Sequence, residues 1–303
     1  MSHREIVQSK PSLLKEAAIQ IGAGGCAGFV EACIMHPMDL IKTRFQLQVK
    51  VATQDALYYT GIRDCMRKMY INEGLAAFWK GILPPVIMET PKRAVKFFSF
   101  EQYKKLFSSN TPKTMTYYYA GFLTGVTEAI LVNPFEVVKV QMQSNRKHIS
   151  HSPSTFAVTR RILTEHGFGL KGLNKGLSAT IMRNGIFNTF YLGIYNSVVP
   201  HLLKQKDHFP ELFLKFVVGF LSGTVASCMN IPFDVAKSRI QGPQGEILYK
   251  DTLQTIYLVY HREGFKALYK GLVPKILRLG PGGAIMLIVY EHMKYYLSNG
   301  VIH

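Results

Sequence analysis

Long apolar stretches with few charges recur along the chain. Thr114–Val132 carries one formal charge, Glu128, and Phe213–Phe233 carries only Lys215, near its start. Asn184–Leu203 has none beyond histidine, Ile19–Met35 has only Glu31, and Leu279–Tyr290 has none. A helix needs about 20 predominantly apolar residues to cross a bilayer, and several of these stretches are long enough. The stretch after Gly81 is weaker, because Glu89, Lys92, Arg93 and Lys96 interrupt it. Taken alone it reads as a surface helix.

One polar pattern punctuates the apolar stretches three times: Pro37-Met38-Asp39-Leu40-Ile41-Lys42, Pro134-Phe135-Glu136-Val137-Val138-Lys139 and Pro232-Phe233-Asp234-Val235-Ala236-Lys237, with prolines 97 and 98 residues apart. A glutamine stands nine residues after each proline (Gln46, Gln143, Gln241), and a glycine pair precedes each (Gly24/Gly28, Gly121/Gly125, Gly219/Gly223). Downstream recur Glu73-Gly74, Glu165-His166-Gly167 and Glu263-Gly264, then Trp79-Lys80-Gly81, Asn174-Lys175-Gly176 and Tyr269-Lys270-Gly271. Self-similarity at a fixed period marks a repeat architecture. Each unit reads as an apolar helix with small residues at four-residue spacing, a proline-acid-base corner and a short amphipathic helix (61–72, 153–165, 250–262). A Lys-Gly turn then leads into a second spanning helix. Small residues let helices approach closely in lipid. Proline within a spanning helix frees a carbonyl and kinks it, which is tolerated beside protein or a water-filled cavity. Three kinks around a pseudo-threefold axis would draw the odd helices together at one end.

Composition adds a sign of charge. Charged residues are 18% of the 303, below the roughly 25% of soluble domains, and the net charge is +17, from 36 basic against 19 acidic residues. Such an excess suggests an anionic partner: nucleic acid, anionic lipid or an acidic solute. Cys26, Cys33, Cys65 and Cys228 have neither CxxC nor zinc-ligand spacing and read as packing residues. No Walker, zinc, nucleophile or calcium-loop motif is present, so no metal or catalytic residue is assigned. The N-terminus has no apolar secretory core, and Glu5 and Glu16 make it a poor presequence. Any organellar targeting is expected to be internal.

The PX[DE]XX[KR]…Gln spacing, the [WY]KG turn and the threefold recurrence resemble the mitochondrial carrier family from about Ala17 to Leu297. The resemblance implies an all-α membrane protein of six transmembrane helices in three pseudo-threefold repeats, with short matrix-side helices. The expected parts are an N-terminal tail (1–16) and repeats at 17–108, 109–205 and 206–303, together one structural domain. It further implies a monomeric secondary transporter, not an enzyme, in the mitochondrial inner membrane with both termini toward the intermembrane space. A matrix gate of Asp39–Lys139, Glu136–Lys237 and Asp234–Lys42 follows from it, braced by Gln46, Gln143 and Gln241. As exposed pairs these would each contribute only about 0–1 kcal/mol. The opposite, cytoplasmic gate resembles [FY][DE]XX[KR]: Glu101 with Lys104 and Glu291 with Lys294 fit, but repeat 2 offers Asn196 and Val199. One complete inter-helix pair, Glu291–Lys104, is therefore expected there. Cardiolipin is the expected lipid at the Lys-Gly turns, where free amides open the following helices. This gives the excess charge an outlet without nucleic acid.

In a pseudo-symmetric bundle, residues that break the symmetry are candidates for holding an asymmetric solute. Seven residues past each turn glycine stand Met88, Arg183 and Arg278; the next are Glu89, Asn184 and Leu279. Lys92 shares a helix face with Met88. Lys92, Arg183 and Arg278 thus lie on equivalent faces at similar depth, where ionisable groups usually mark a solute pathway. Arginine's planar fork binds carboxylates bidentately, so two arginines and a lysine suit a small dianion, with Asn184 able to donate to a keto or hydroxyl oxygen. In family terms Arg183-Asn184 resembles the contact pair of keto-acid carriers. The runs 90–98, 172–176, 234–244 and 278–283 resemble its oxodicarboxylate-carrying members, implying counter-exchange of 2-oxoadipate and 2-oxoglutarate in lysine and tryptophan breakdown. Another di- or tricarboxylate, a proton leak and a non-transporting membrane partner stay open at this point. Arg93 and Lys96 lie off the Met88–Lys92 face and are expected to snorkel or tune the field. Glu31 and Glu128 lie six residues before their prolines. They are read as structural, with compensation of nearby lysines or a coupled proton as alternatives. His36 is read as a packing or helix-end residue.

Overall fold

The computed structural model describes residues 13–48, 58–108, 111–146, 152–204, 211–243 and 245–299. Residues 1–12 of the expected tail, and Gln244, lie outside the described residues. Nine helices of twelve or more residues are present among those described: α1 (Leu13–Leu47), α2 (Ile62–Glu73), α3 (Leu83–Phe107), α4 (Lys113–Ser144), α5 (Thr155–His166), α6 (Leu177–Lys204), α7 (Glu211–Gln241), α8 (Thr252–Glu263) and α9 (Leu272–Asn299). The six long ones form a closed ring, each packed on the next in the order α1, α3, α4, α6, α7, α9 and back to α1. The odd members α1, α4 and α7 also touch one another.

The helices outrun the apolar stretches that predict them. α1, α4 and α7 continue through Pro37, Pro134 and Pro232 to residues 47, 144 and 241. A proline forfeits one i to i−4 bond, but packing beyond each proline offsets it. Leu40 and Ile41 pack with Tyr59, Cys65, Met69 and Phe78. Val137 and Val138 pack with Val158, Ile162 and Leu173, and Val235 and Ile240 with Val259, Ala267 and Leu268. Each post-proline segment therefore closes a small core with its own amphipathic helix and turn. Those amphipathic helices begin at Gly61, at Ser154, whose side chain accepts from the Ala157 amide, and at Asp251, which caps the Gln254 amide.

By length and apolarity alone, α4, α7 and the segment 265–298 containing α9 could cross a membrane. α1, α3 and α6 fall short of that measure. α3 shows why: Glu89 and Arg93 turn into the ring toward Glu31, while Ile87, Phe97 and Phe98 lie on its exposed side. Phe29, Ile34, Tyr119, Ile130, Leu221, Met229 and Ile288 extend that apolar exterior around the bundle. A surface so apolar calls for a lipid or protein covering.

Close helix approach is concentrated in repeat 2. A Cβ at Gly125 would meet the Asn184 carbonyl oxygen at 2.4 Å, and one at Gly121 the Asn188 carbonyl at 2.7 Å. At Gly24 such a Cβ would find open space. The expected packing role thus belongs mainly to the second pair.

Candidate functional site

The three proline-acid-base corners converge where the odd helices meet. Lys139 Nζ lies 3.0 Å from Asp39 Oδ2, Lys237 Nζ 2.5 Å from Glu136 Oε2, and Lys42 Nζ 2.6 Å from Asp234 Oδ2. Each pair joins one repeat to another, and together they close a cycle. Their side chains are 3–20% exposed, so the surface-pair energetics expected for them do not apply. Charges taken out of water interact more strongly and are costly to leave unpaired.

Every acid in this ring also holds a second cation from one of the other three long helices, the even members of the ring α3, α6 and α9. Arg278 donates to Asp39 Oδ1 at 2.6 Å and to Glu31 Oε1 at 2.9 Å. Arg183 donates to Glu136 Oε1 at 2.7 Å and stands 3.7 Å from Asp234. Lys275 donates to Asp234 Oδ2 at 2.8 Å and to Asn230 Oδ1 at 2.5 Å. Six cations thus meet three carboxylates. Positive charge is concentrated at the neck of the bundle.

The remaining predicted site residues lie above this ring. Lys92, half-exposed, is 3.9 Å from Glu128 Oε1, which also lies across from Asn188; the Asn188 amide donates to Glu128 Oε2 at 2.7 Å. Arg93 pairs with Glu89 and Glu31, and Lys96 lies over the rings of Phe187 and Tyr191. Asn184 is buried beside Arg183, and its amide nitrogen has no hydrogen-bond partner. Glu31 and Glu128 therefore take up site cations rather than serving packing alone.

The glutamines do not brace the ion pairs. Gln46 accepts from Ser238 Oγ at 2.7 Å, and Gln241 donates to Asn133 Oδ1, the Lys175 carbonyl and Thr180 Oγ1. The Gln143 amide is buried with no partner. One turn beyond the ring lysines, each glutamine faces the Lys-Gly turn of another repeat instead. A Cβ at Gly271, Gly176 or Gly81 would stand 3.2, 3.3 or 3.5 Å from the Cγ of Gln46, Gln241 or Gln143. All three glycines have positive φ (85°, 67° and 72°), where a side chain is strained. His36, read as a packing residue, makes a related contact: its ring nitrogen is 2.9 Å from the Lys80 carbonyl.

A family model described as mitochondrial carrier protein matches the chain three times, over residues 15–111, 110–206 and 210–301. The chain belongs to the mitochondrial carrier family. It is 55% identical over 300 residues to a Homo sapiens protein named mitochondrial 2-oxodicarboxylate carrier, covering 97% of this chain and 99% of the relative. The Bos taurus protein of that name is 54% identical over 300 residues, with the same coverage. Mitochondrial 2-oxodicarboxylate carrier 2 of Saccharomyces cerevisiae is 37% identical over 293 residues, covering 92% of this chain and 94% of its own.

The two ends of this carrier differ. At the far end of the even helices the expected Glu291–Lys104 pair is not made. Lys104 takes Glu101 of its own helix at 2.6 Å, while Glu291 and Lys294 are exposed. The reason is spatial: α3 packs on α1 and α4, whereas α9 packs on α1 and α7. Their charged ends therefore meet solvent rather than each other.

Two features of this carrier are not among the residues singled out from sequence. Lys275 stands four residues past Gly271, where the other repeats have Pro85 and Thr180, so the same symmetry comparison one turn earlier would have found it. The other is a buried triad in repeats 1 and 3. Arg44 and Lys80 both hold Glu73 (2.9 and 2.6 Å), and Arg239 and Lys270 both hold Glu263 (2.9 and 2.8 Å). Burial alone would raise the Glu263 pKa; the Arg239 charge and the Lys270 hydrogen bond outweigh it and hold the carboxyl below its usual value. The basic members also reach another repeat: Arg44 and Lys80 donate to the Asn145 carbonyl, Arg239 and Lys270 to that of Gln48. The recurring Glu-Gly signalled the acids, and Arg44 and Arg239 stand seven residues after their prolines.

Proposed function

We propose that this carrier exchanges 2-oxodicarboxylates, of the size of 2-oxoadipate and 2-oxoglutarate, across the mitochondrial inner membrane by alternating access. In this reading the ion-paired end faces the matrix and both termini face the intermembrane space. The observation that carries it is the placement of Arg183 and Arg278. These arginines break the threefold symmetry, and each is bound to a ring carboxylate, Glu136 or Asp39. A dianion arriving from the open end offers each guanidinium a replacement carboxylate. Charge-assisted hydrogen bonds contribute about 1.5–3 kcal/mol each. Two such exchanges transfer the even-helix cations from ring to solute and leave each of those acids with one lysine. A solute opens a gate only through tighter binding to the opening state, and this shared use of the arginines supplies that difference. Asn184, with its unpartnered amide, is positioned in sequence and burial to donate to the 2-oxo oxygen once α6 moves. The relatives named for 2-oxodicarboxylates support the same solute class.

Lipid belongs to the proposal as well. In α6 the first-turn amides lack intrahelical acceptors, and cardiolipin phosphates suit them; α3 and α9 offer fewer, because Pro84, Pro85 and Pro274 have no N–H. The carrier is expected to work as a monomer, since its ring closes within one chain.

Reconstituted vesicles loaded with 2-oxoglutarate test this directly. They should take up labelled 2-oxoadipate, and vesicles without internal substrate should not. Uptake of citrate or phosphate in place of 2-oxoadipate would refute the assignment.

A further inference from the structure

Glu31 stands between two arginines in one corner of the bundle. Its Oε1 accepts from Arg278 of α9 at 2.9 Å, and its Oε2 lies 3.4 Å from Arg93 of α3. Arg93 is also held by Glu89, at 2.5 Å, and faces Met286 Sδ of α9. Arg278 is held in turn by Asp39 at 2.6 Å. Charges thus alternate in sign from α3 down to the ring: Glu89, Arg93, Glu31, Arg278, Asp39. Of the three acids, Glu31 alone has an arginine on each oxygen, and it is buried.

The sequence makes room for this arrangement in repeat 1 alone. Eleven residues past the turn glycine, where α3 has Lys92 and α6 has Phe187, α9 has Gly282. A Cβ there would stand 3.1 Å from Glu31 Oε1, the oxygen that holds Arg278. Any side chain at this position would press on that oxygen. Glu128, at the matching position of repeat 2, faces Lys92 and Asn188 and makes no ion pair with Arg183 among the described residues. Repeat 3 has Ala226 there. What only one repeat contains is not demanded by the scaffold that all three share.

The exchange reading above, on which this inference rests, brings a solute carboxylate to Arg278. Both acceptors of that guanidinium must then give way. Asp39 keeps Lys139, but Glu31 would be left buried and unpaired, which is costly, unless Arg93 takes it over. We propose that Glu31 is a positioning residue, a tethered stand-in for the solute carboxylate that occupies Arg278 in the empty carrier and passes to Arg93 when solute arrives. Glu31 thereby competes with solute for Arg278 and holds the unloaded carrier in its ion-paired state. Arg93 acts through Glu31 and does not touch the solute.

Initial rates of 2-oxoglutarate exchange in reconstituted vesicles test this. Glu31→Gln removes the competing charge and should lower KM about tenfold, the scale of one charge-assisted contact, without raising the maximal rate. It should also admit labelled substrate to vesicles that hold none inside, because the empty carrier is no longer held closed. Gly282→Ala leaves every charge in place and crowds only the oxygen on Arg278, so KM should fall by a smaller factor in the same direction. Arg93→Gln should raise KM, since Glu31 loses its second partner. That rise should be at least about threefold smaller in the Glu31→Gln background, as coupled sites require. A parental carrier that exchanges no 2-oxoglutarate refutes the functional reading and this inference with it. Exchange with KM unchanged or raised in Glu31→Gln overturns the role of Glu31 alone. So does a fall in Glu31→Gln that Gly282→Ala does not share, which marks a general effect of the lost charge. An equal effect of Arg93→Gln in both backgrounds would place Arg93 on the solute itself and overturn the hand-over. Should Glu31→Gln fail to fold, the direction of the KM change in Gly282→Ala decides.

Discussion

Arg278 shows how one side chain serves two purposes. Its fork bridges Asp39 and Glu31, on α1, from the neighbouring helix α9. A lysine at this point keeps the charge but cannot hold both oxygens in one plane. Arg278→Lys should therefore lose one charge-assisted contact, about 1.5–3 kcal/mol, and lower the exchange rate roughly tenfold to a hundredfold. Initial rates in vesicles measure this; a rate within twofold of the parent would show that charge alone suffices. At this scale the sequence was informative about identity and silent about partners. Symmetry breaking singled out Arg183 and Arg278, but that each occupies a ring acid depends on the height of the even helices against the odd ones. Spacing within a helix does not encode that register. Lys275 was legible one turn earlier in the same comparison, but its acid and amide partners, on α7, were not.

Among the elements, the Lys-Gly turns link the repeats most directly. Gly264 and Gly271 have nearly the same φ, 84° and 85°, yet a Cβ at Gly264 meets nothing within 4 Å, whereas one at Gly271 would stand 3.1 Å from Lys42 Cγ and 3.3 Å from the Lys42 carbonyl. Gly264, at φ 84° and ψ 171°, lies in a region that is essentially reserved for glycine and costs an L-residue about 1–3 kcal/mol. Gly264→Ala should therefore destabilise by about that amount, and Gly271→Ala by clearly more, because it also pushes on a ring lysine. A thiol-reactive dye can follow the unfolding once Cys26, Cys33 and Cys228, which are exposed or half-buried, are replaced. Cys65 is fully buried in the α2 core, burial pushes its pKa up to about 12, and it reacts only once that core opens. Equal destabilisation by the two substitutions would mean that the contact with Lys42 is inconsequential. The short helices were legible to within one or two residues, because their caps and amphipathic spacing are local. The long helices were not, since their continuation past proline depends on packing against α2, α5 and α8.

For the whole molecule, the ring of charges behaves as a shared network. Were Asp39 and Lys139 an isolated pair, exchanging their identities would restore what either single change removes. Here Asp39 also holds Arg278, so Asp39→Lys/Lys139→Asp sets a lysine against that guanidinium. The double variant should transport no better than Asp39→Lys alone, and Glu136→Lys/Lys237→Glu should fail likewise beside Arg183. Recovery of half or more of the parental exchange rate would show that the even-helix cations are bystanders. Threefold repetition made the ring members readable from sequence. The second layer of cations follows no such repetition, coming twice from α9, once from α6 and not at all from α3.

The closure of α9 onto α1 makes the order of repeats along the chain separable from their order in space. Leu297 reaches Gly22, where an added methyl would stand 3.3 Å from it, so the last long helix ends beside the start of the first. The bundle is in effect a circle cut at one point. Circular permutants that join α9 to α1 by a short linker and open the chain between α3 and α4 keep every interhelical contact, and with them the full set of links between repeats.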